Sequence, residues 1–199
     1  GAVRQFNTVL RLDPNHAPAH DHIGTLLYAQ GDVSSAVHAF RRAIQLDPAF
    51  AQAHSDLGAV LYAQGDTAGA IKALRQAAAL DPDHLQTHYN LGLALKKQGD
   101  IPGAVQAFRR ALRLRPGHLR AYNHLGAALY SGGDIADAEQ TYRQAISLKP
   151  NFAGPHFGLA TILQEQGDTA GALRHYRAIV QSGDDEHLQR MAAQIIRAM

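Results

Sequence analysis

The stretch that decides the fold runs from Leu91-Gly92-Leu93-Ala94-Leu95 through Gly99-Asp100 and Ala104-Val105-Gln106-Ala107-Phe108 to Pro116. Most of the chain is a variation on it. Gly-Asp recurs at Gly31-Asp32, Gly65-Asp66, Gly99-Asp100, Gly133-Asp134 and Gly167-Asp168, a step of 34 residues each time. The same step links Pro14, Pro48, Pro82, Pro116 and Pro150, and also Ala36, Ala70, Ala104, Ala138 and Ala172. It links Phe40, Leu74, Phe108, Tyr142 and Tyr176, and it carries Gly24 to Gly58, Gly92, Gly126 and finally Ala160. A fixed period of this length marks a solenoid, in which each unit buries its apolar face only against its neighbours. The expected fold is therefore all-α, a right-handed solenoid of helix-turn-helix repeats.

Each period reads as two helices. In the copy that opens at Leu85, Asp83 is expected to cap the first helix, and His88, Leu91 and Leu95 share one face. Gly99-Asp100 ends that helix and starts the second, whose buried stripe is Ala104, Phe108, Ala111 and Leu114. Gly92 and Ala104 are small enough to let the two helices approach, so that Phe108 fills the space between them.

The repeats are expected at 17–50, 51–84, 85–118, 119–152 and 153–186. Residues 1–16 match the second helix of a leading repeat, because Ala2, Phe6, Val9 and Leu12 stand where Ala36, Phe40, Ala43 and Leu46 recur. Its first helix is either cut away or supplied by a partner, and the apolar flank of Phe6 and Val9 allows self-association through the chain ends. Residues 187–199 are expected to form a capping helix. Leu188, Met191, Ala192 and Ile195 would point inward and Ile196 and Met199 outward, with Asp184, Asp185 and Glu186 near its positive end.

Composition narrows the partners. Nineteen Lys and Arg against seventeen Asp and Glu leave a formal charge of +2, with the two signs interspersed. No strong field is present to draw in nucleic acid. Nothing approaches the ~20 continuous apolar residues of a membrane span. The absence of cysteine excludes disulfides and thiolate chemistry, and leaves the compartment open between cytoplasm and periplasm.

The repeated residues resemble the tetratricopeptide repeat (TPR) family, whose pattern is an aromatic, Leu-Gly, a second aromatic, Ala, Phe and Pro at set offsets. Here the leading aromatic position holds His20, His54, His88, Tyr122 and His156, and the later one holds leucine. Tyrosine stands one residue further on, at Tyr28, Tyr62 and Tyr130. One residue is about 100° around a helix, so these rings should leave the core for the inner wall. Ala121-Tyr122-Asn123-His124-Leu125-Gly126 and Ile146-Ser147-Leu148-Lys149-Pro150-Asn151-Phe152 are similar to bacterial arrays and to those attached to O-GlcNAc transferases. That resemblance implies an inner asparagine ladder for substrate peptides, of which Asn90 alone occupies the position here. A carboxylate clamp of the cochaperone kind is disfavoured, since Asp21 and Asp56 would repel the peptide's terminus.

The first helices should line the concave side. Their outward positions are Asp21, His22, Thr25 and Tyr28; Ser55, Asp56 and Tyr62; Tyr89, Asn90, Leu93, Lys96 and Lys97; Asn123, His124 and Tyr130; and Phe157, Thr161 and Gln164. The expected peptide-binding residues are Tyr28, Asp56, Tyr62, Asn90, Lys97, Asn123, His124 and Tyr130. Amides and tyrosines can hold an extended backbone while the rings supply contact area at low entropic cost.

The function expected is a non-catalytic scaffold that binds a peptide or protein segment in this groove. The alternatives are the recognition arm of a larger enzyme, such as a glycosyltransferase, or a self-assembling array. No nucleophile, base and orienting acid can be assembled, and Ser34, Ser35 and Ser55 read as surface serines. No cofactor is implied. The twelve histidines do not make a metal site, because His20, His54, His88 and His156 recur at one packing position. A stacked imidazole row there would make stability fall near pH 5–6. Arg41, Arg75, Arg109, Arg143 and Arg177 read as a solvated outer face with local salt bridges.

Overall fold

A computed structural model describes residues 9–198, and the expectations for Ala2, Phe6 and Met199 lie outside the described residues. The chain divides into two compact units, residues 1–100 and 101–199. All regular structure among the described residues is helical.

In the first unit, residues 9–12 are helical and precede α1 (Ala17–Ala29), α2 (Val33–Leu46), α3 (Ala51–Gln64), α4 (Thr67–Leu80) and α5 (Leu85–Gln98). Gly-Asp separates the helices of a pair. Gly65 and Gly99 end α3 and α5 at φ of 90° and 93°, a left-handed turn in which a Cβ would be strained. The aspartate then caps the second helix of the pair: Asp32 Oδ1 accepts from Ser35 N at 3.1 Å and Asp66 Oδ1 from Gly69 N at 2.9 Å. α5 starts differently from the expectation. Its N-cap is His84, and Asp83 is not the capping residue.

Packing within each pair depends on a notch. A Cβ on Gly24 would stand 2.7 Å from Phe40 Cε1, and one on Gly58 would stand 2.5 Å from Leu74 Cγ. Phe40 and Leu74 are fully buried there. Successive first helices touch, α1 with α3 and α3 with α5, whereas α2 and α4 make no such approach among the described residues. The second helices are splayed around a surface groove of about 550 Å³ floored by Leu57 and Leu61. Within this unit the first helices are therefore the tighter, inner wall.

The second unit comprises α6 (Ile101–Leu114), α7 (Leu119–Ser131), α8 (Ile135–Leu148), α9 (Ala153–Glu165), α10 (Thr169–Ser182) and α11 (Glu186–Ala198). The notch recurs: a Cβ on Gly126 would stand 2.5 Å from Tyr142 Cε1, and Gly158 gives the same ring room from the next first helix. Burial pushes the Tyr142 phenol up to about 12. α11 closes the unit: its Ala192 joins a buried cluster with Ala153, Ala160, Ala172, Tyr176 and Ile179, and Leu188, Ile195 and Ile196 pack against that cluster. Ile196 is thus a packing residue and not the exposed one expected. Asp185 Oδ1 caps α11 by accepting from Leu188 N at 3.0 Å.

The recurring histidines do not stack into a row. Each instead bonds the proline carbonyl that precedes its own helix: His20 to Pro14 at 3.0 Å, His54 to Pro48 at 3.0 Å, His88 to Pro82 at 2.8 Å and His156 to Pro150 at 2.7 Å. A carbonyl can only accept, so Nε2 carries the proton in all four. His156 Nδ1 then offers a lone pair, and His175 Nδ1 donates to it across α9 and α10 at 2.8 Å.

The tightness of this packing can be measured at Gly58. Gly58→Ala gains about 1 kcal/mol of helix propensity, but its Cβ meets the Leu74 branch point and the Ala70 carbonyl. Overpacking of about 1–3 kcal/mol should prevail and lower the urea midpoint; a raised midpoint would show that the notch is slack. A pH dependence is expected at His175. Burial first, then His156, Arg174 and Arg143, press its imidazole down to about 4. An unfolded imidazole takes its proton near 6.5. The contribution of neutral His175 is therefore intact above pH 6.5 and lost as pH falls toward 4. The melting temperature should drop across that window, and His175→Gln should flatten the drop.

Candidate functional site

In the first unit the inner wall is built from α1, α3 and α5. Tyr28, near the end of α1, is 42 % exposed. Tyr62 is half-buried and carries the Lys97 ammonium 5.0 Å from its ring centroid. Asp56 and Asn90, at matching turns of α3 and α5, are each held by a glutamine one turn earlier. Gln52 Nε2 donates to Asp56 Oδ2 at 2.9 Å, and Gln86 Nε2 donates to Asn90 Oδ1 at 2.9 Å. These i,i+4 pairs fix the polar groups without covering the helix face.

Three residues expected on this wall are buried instead. Asp21 and Ser55 are 4 % and 2 % exposed, and Tyr89 is likewise buried. Ser55 is not a surface serine: Thr87 Oγ1 donates to its Oγ at 2.9 Å, and His84 Nδ1 bonds Thr87 Oγ1 at 2.7 Å. Asp21 has no such arrangement, and its Oδ1 is buried without a hydrogen-bond partner among the described residues. Burial, reinforced by the charge of Asp56 and opposed by His22, pushes the Asp21 carboxyl up to about 6. Burial also raises Asp56, against the pull of Gln52, His84 and His22.

In the second unit, Asn123 presses on α9, since a Cβ on Gly154 would come 2.7 Å from its Oδ1. His124 stacks on Phe108 at 5.9 Å and 18°. Tyr130 donates to Glu165 Oε1 at 2.5 Å, a bond that raises its phenol above the ordinary range. Sequence reasoning missed Glu165 and the two glutamines; only their i,i+4 spacing to Asp56 and Asn90 could have flagged Gln52 and Gln86.

Three of the recurring arginines of the second helices make local pairs. Arg75 approaches Asp100 at 4.0 Å, Arg109 meets Asp137 at 3.0 Å and Arg143 meets Glu139 at 2.7 Å. Exposed pairs of this kind contribute little. Among the described residues, no helix is long and apolar enough to cross a membrane.

One family model described as tetratricopeptide repeat matches residues 23–84 and 89–153, and a second of the same description matches 129–195. The chain is a tetratricopeptide-repeat protein. The match is to the family as a whole and establishes no kinship with the glycosyltransferase arrays. Among solved structures, MamA is 25 % identical, with a TM-score of 0.78 over 81 % of this chain and 95 % of its own. YrrB, described as a TPR protein with an unusual peptide-binding site, is 18 % identical with a TM-score of 0.81 over 95 % and 97 %. PilF of Pseudomonas aeruginosa is 22 % identical with a TM-score of 0.75 over 91 % and 84 %. No curated protein sequence matches this TPR chain.

The orphaned carboxylate yields a stability prediction. The Asp21 pKa lies above its unfolded value of 3.8, so the folded state carries a penalty above about pH 6 that fades as pH falls toward 4. Asp21→Asn should raise the melting temperature at pH 7, at roughly 2–4 °C per kcal/mol recovered, with a shrinking gain at acid pH. A lower melting temperature at pH 7 would mean the carboxylate has a partner.

Proposed function

We propose that this TPR chain is a non-catalytic scaffold whose first-helix wall binds an extended peptide or protein segment. Within each unit, the repeats of 17–186 supply such a face by their own first helices, and α11 closes the last repeat. The reading rests on one observation: half-exposed tyrosine rings alternate along the first helices with carboxylate and amide groups already oriented by their own glutamines. Such a surface gives a peptide aromatic area and fixed hydrogen-bond partners at little ordering cost. Tyr28, Asp56, Tyr62, Asn90 and Lys97 would act in the first unit, and Asn123, His124 and Tyr130 in the second. The peptide-binding site described for YrrB supports the reading.

A comparative pull-down from source cells tests it, using the chain and an Asn90→Ala/Asn123→Ala/Tyr130→Ala variant shown by circular dichroism to be folded. Specific partners should be recovered by the first and lost by the second. Equal recovery would place binding on the second helices or the ends.

A further inference from the structure

The second helices of the first unit hold an open groove of about 550 Å³ between α2 and α4. Its floor is apolar: Leu57, Leu61 and Ala73 are buried beneath it, and Ile44 lines one bank. Arg41 on α2 and Lys72 on α4 stand exposed on opposite banks. Neither forms an ion pair or hydrogen bond with another described residue. The one carboxylate in the lining, Asp66, is taken up at the start of α4, where its Oδ1 accepts from Gly69 N at 2.9 Å. Two cations therefore overlook an apolar trough with no anion to meet them.

The second unit shows the same position with its charges satisfied. The groove between α6 and α8 is lined by the equivalent residues two periods on, among them Arg109, Leu125, Asp137, Gln140 and Thr141. There Arg109 meets Asp137 across the groove at 3.0 Å, and Gln140 stands in place of the lysine. In the first unit the equivalent of Asp137 is Gly69, so Arg41 lacks that partner while Lys72 adds a second positive charge. Between α8 and α10 the position of Ala73 is held by His175, which bonds His156 at 2.8 Å. Of the three, only the α2–α4 position combines alanine in the floor with unpaired cations on both banks.

The lining specifies the occupant. Cationic banks suit an anion, and the apolar floor suits a hydrocarbon body. Both flanks are helices whose backbone groups are already paired, so an extended peptide would find no partners for its own N–H and C=O groups. The lining runs along α4 from Gly69 to Gln76, about 10 Å at the helical rise. That is short for a docked helix and long enough for an acyl or arylalkyl chain. Arg109 shows how far its equivalent reaches: to the turn of Asp137, hence of Gly69. Lys72 lies one turn beyond Gly69, so a single carboxylate can meet both cations. We propose that the α2–α4 groove binds a free amphipathic monocarboxylic acid, its carboxylate held by Arg41 and Lys72 and its apolar body laid over Leu57, Leu61 and Ala73. The guanidinium can donate two parallel N–H bonds to the carboxylate and the ammonium one more. Such a ligand leaves Tyr28, Asp56 and Tyr62 free, and the site does not depend on the peptide reading.

Decanoate is the probe, titrated into the full chain at neutral pH below its micelle concentration and followed by methyl NMR, with decanol as the uncharged match. The expected result is saturable binding that shifts the Ile44, Leu57 and Leu61 methyls, with decanol weaker by about tenfold or more. Arg41→Gln/Lys72→Gln should weaken decanoate by about the same factor and leave decanol unchanged. Ala73→His, which copies the residue at the equivalent point of α10, should abolish binding of both. Circular dichroism checks that each variant is folded, and the comparison with decanol needs no variant. Decanol binding as tightly as decanoate, shifts confined to other methyls, or no saturation would each overturn the proposal. So would displacement of decanoate by acetyl-Leu-Leu-Glu-amide at a lower concentration than decanoate itself requires, which would assign the groove to a protein segment.

Discussion

The structure depends on the contact between a glycine in one helix and a large side chain in its partner. Gly24 faces Phe40, Gly58 faces Leu74 and Gly126 faces Tyr142, each so closely that a methyl group would collide. Helix backbones separated only by a ring or an isobutyl group form a stiff pair, and interiors this dense do not deform continuously. That stiffness makes stacking reproducible. In the first unit, α1 meets α3 and α3 meets α5 while α2 and α4 stand apart, and the inner wall is a consequence of that difference.

Close first helices create a seam as well as a wall. Residues one position before the wall are buried, so neighbouring residues meet opposite fates: Asp21 is buried while His22 is exposed, and Ser55 is buried while Asp56 is half-buried. The seam at α3 and α5 is satisfied by hydroxyls, with Thr87 bridging Ser55 and His84. At α1 a carboxylate is buried instead, its Oδ1 without a donor among the described residues, and this reduces stability.

Much of the architecture is legible in the chain itself. The period, the Gly-Asp punctuation and the alanine stripe each state a local backbone requirement, and local requirements survive translation into structure. The site is less legible. Helical geometry alone puts Asp21, Ser55 and Tyr89 on the wall, but their burial depends on packing around the helix, which no single helix encodes. The histidine series reads as a packing row because it replaces an aromatic. Its polar nitrogen instead finds the proline carbonyl six residues back, a loop geometry invisible to a helical projection. Ile196 reads as exposed as long as the tail is considered without the buried cluster against which it packs.

A peptide approaching the first helices and not the second is the central claim. Hydrogen-exchange mass spectrometry of the chain, free and with a bound peptide, addresses it without any substitution. Slowed exchange confined to α1, α3 and α5 in the first unit, and to α7 and α9 in the second, is the predicted result. Slowed exchange along α2 and α4 or α8 and α10, with the first helices unchanged, would contradict it.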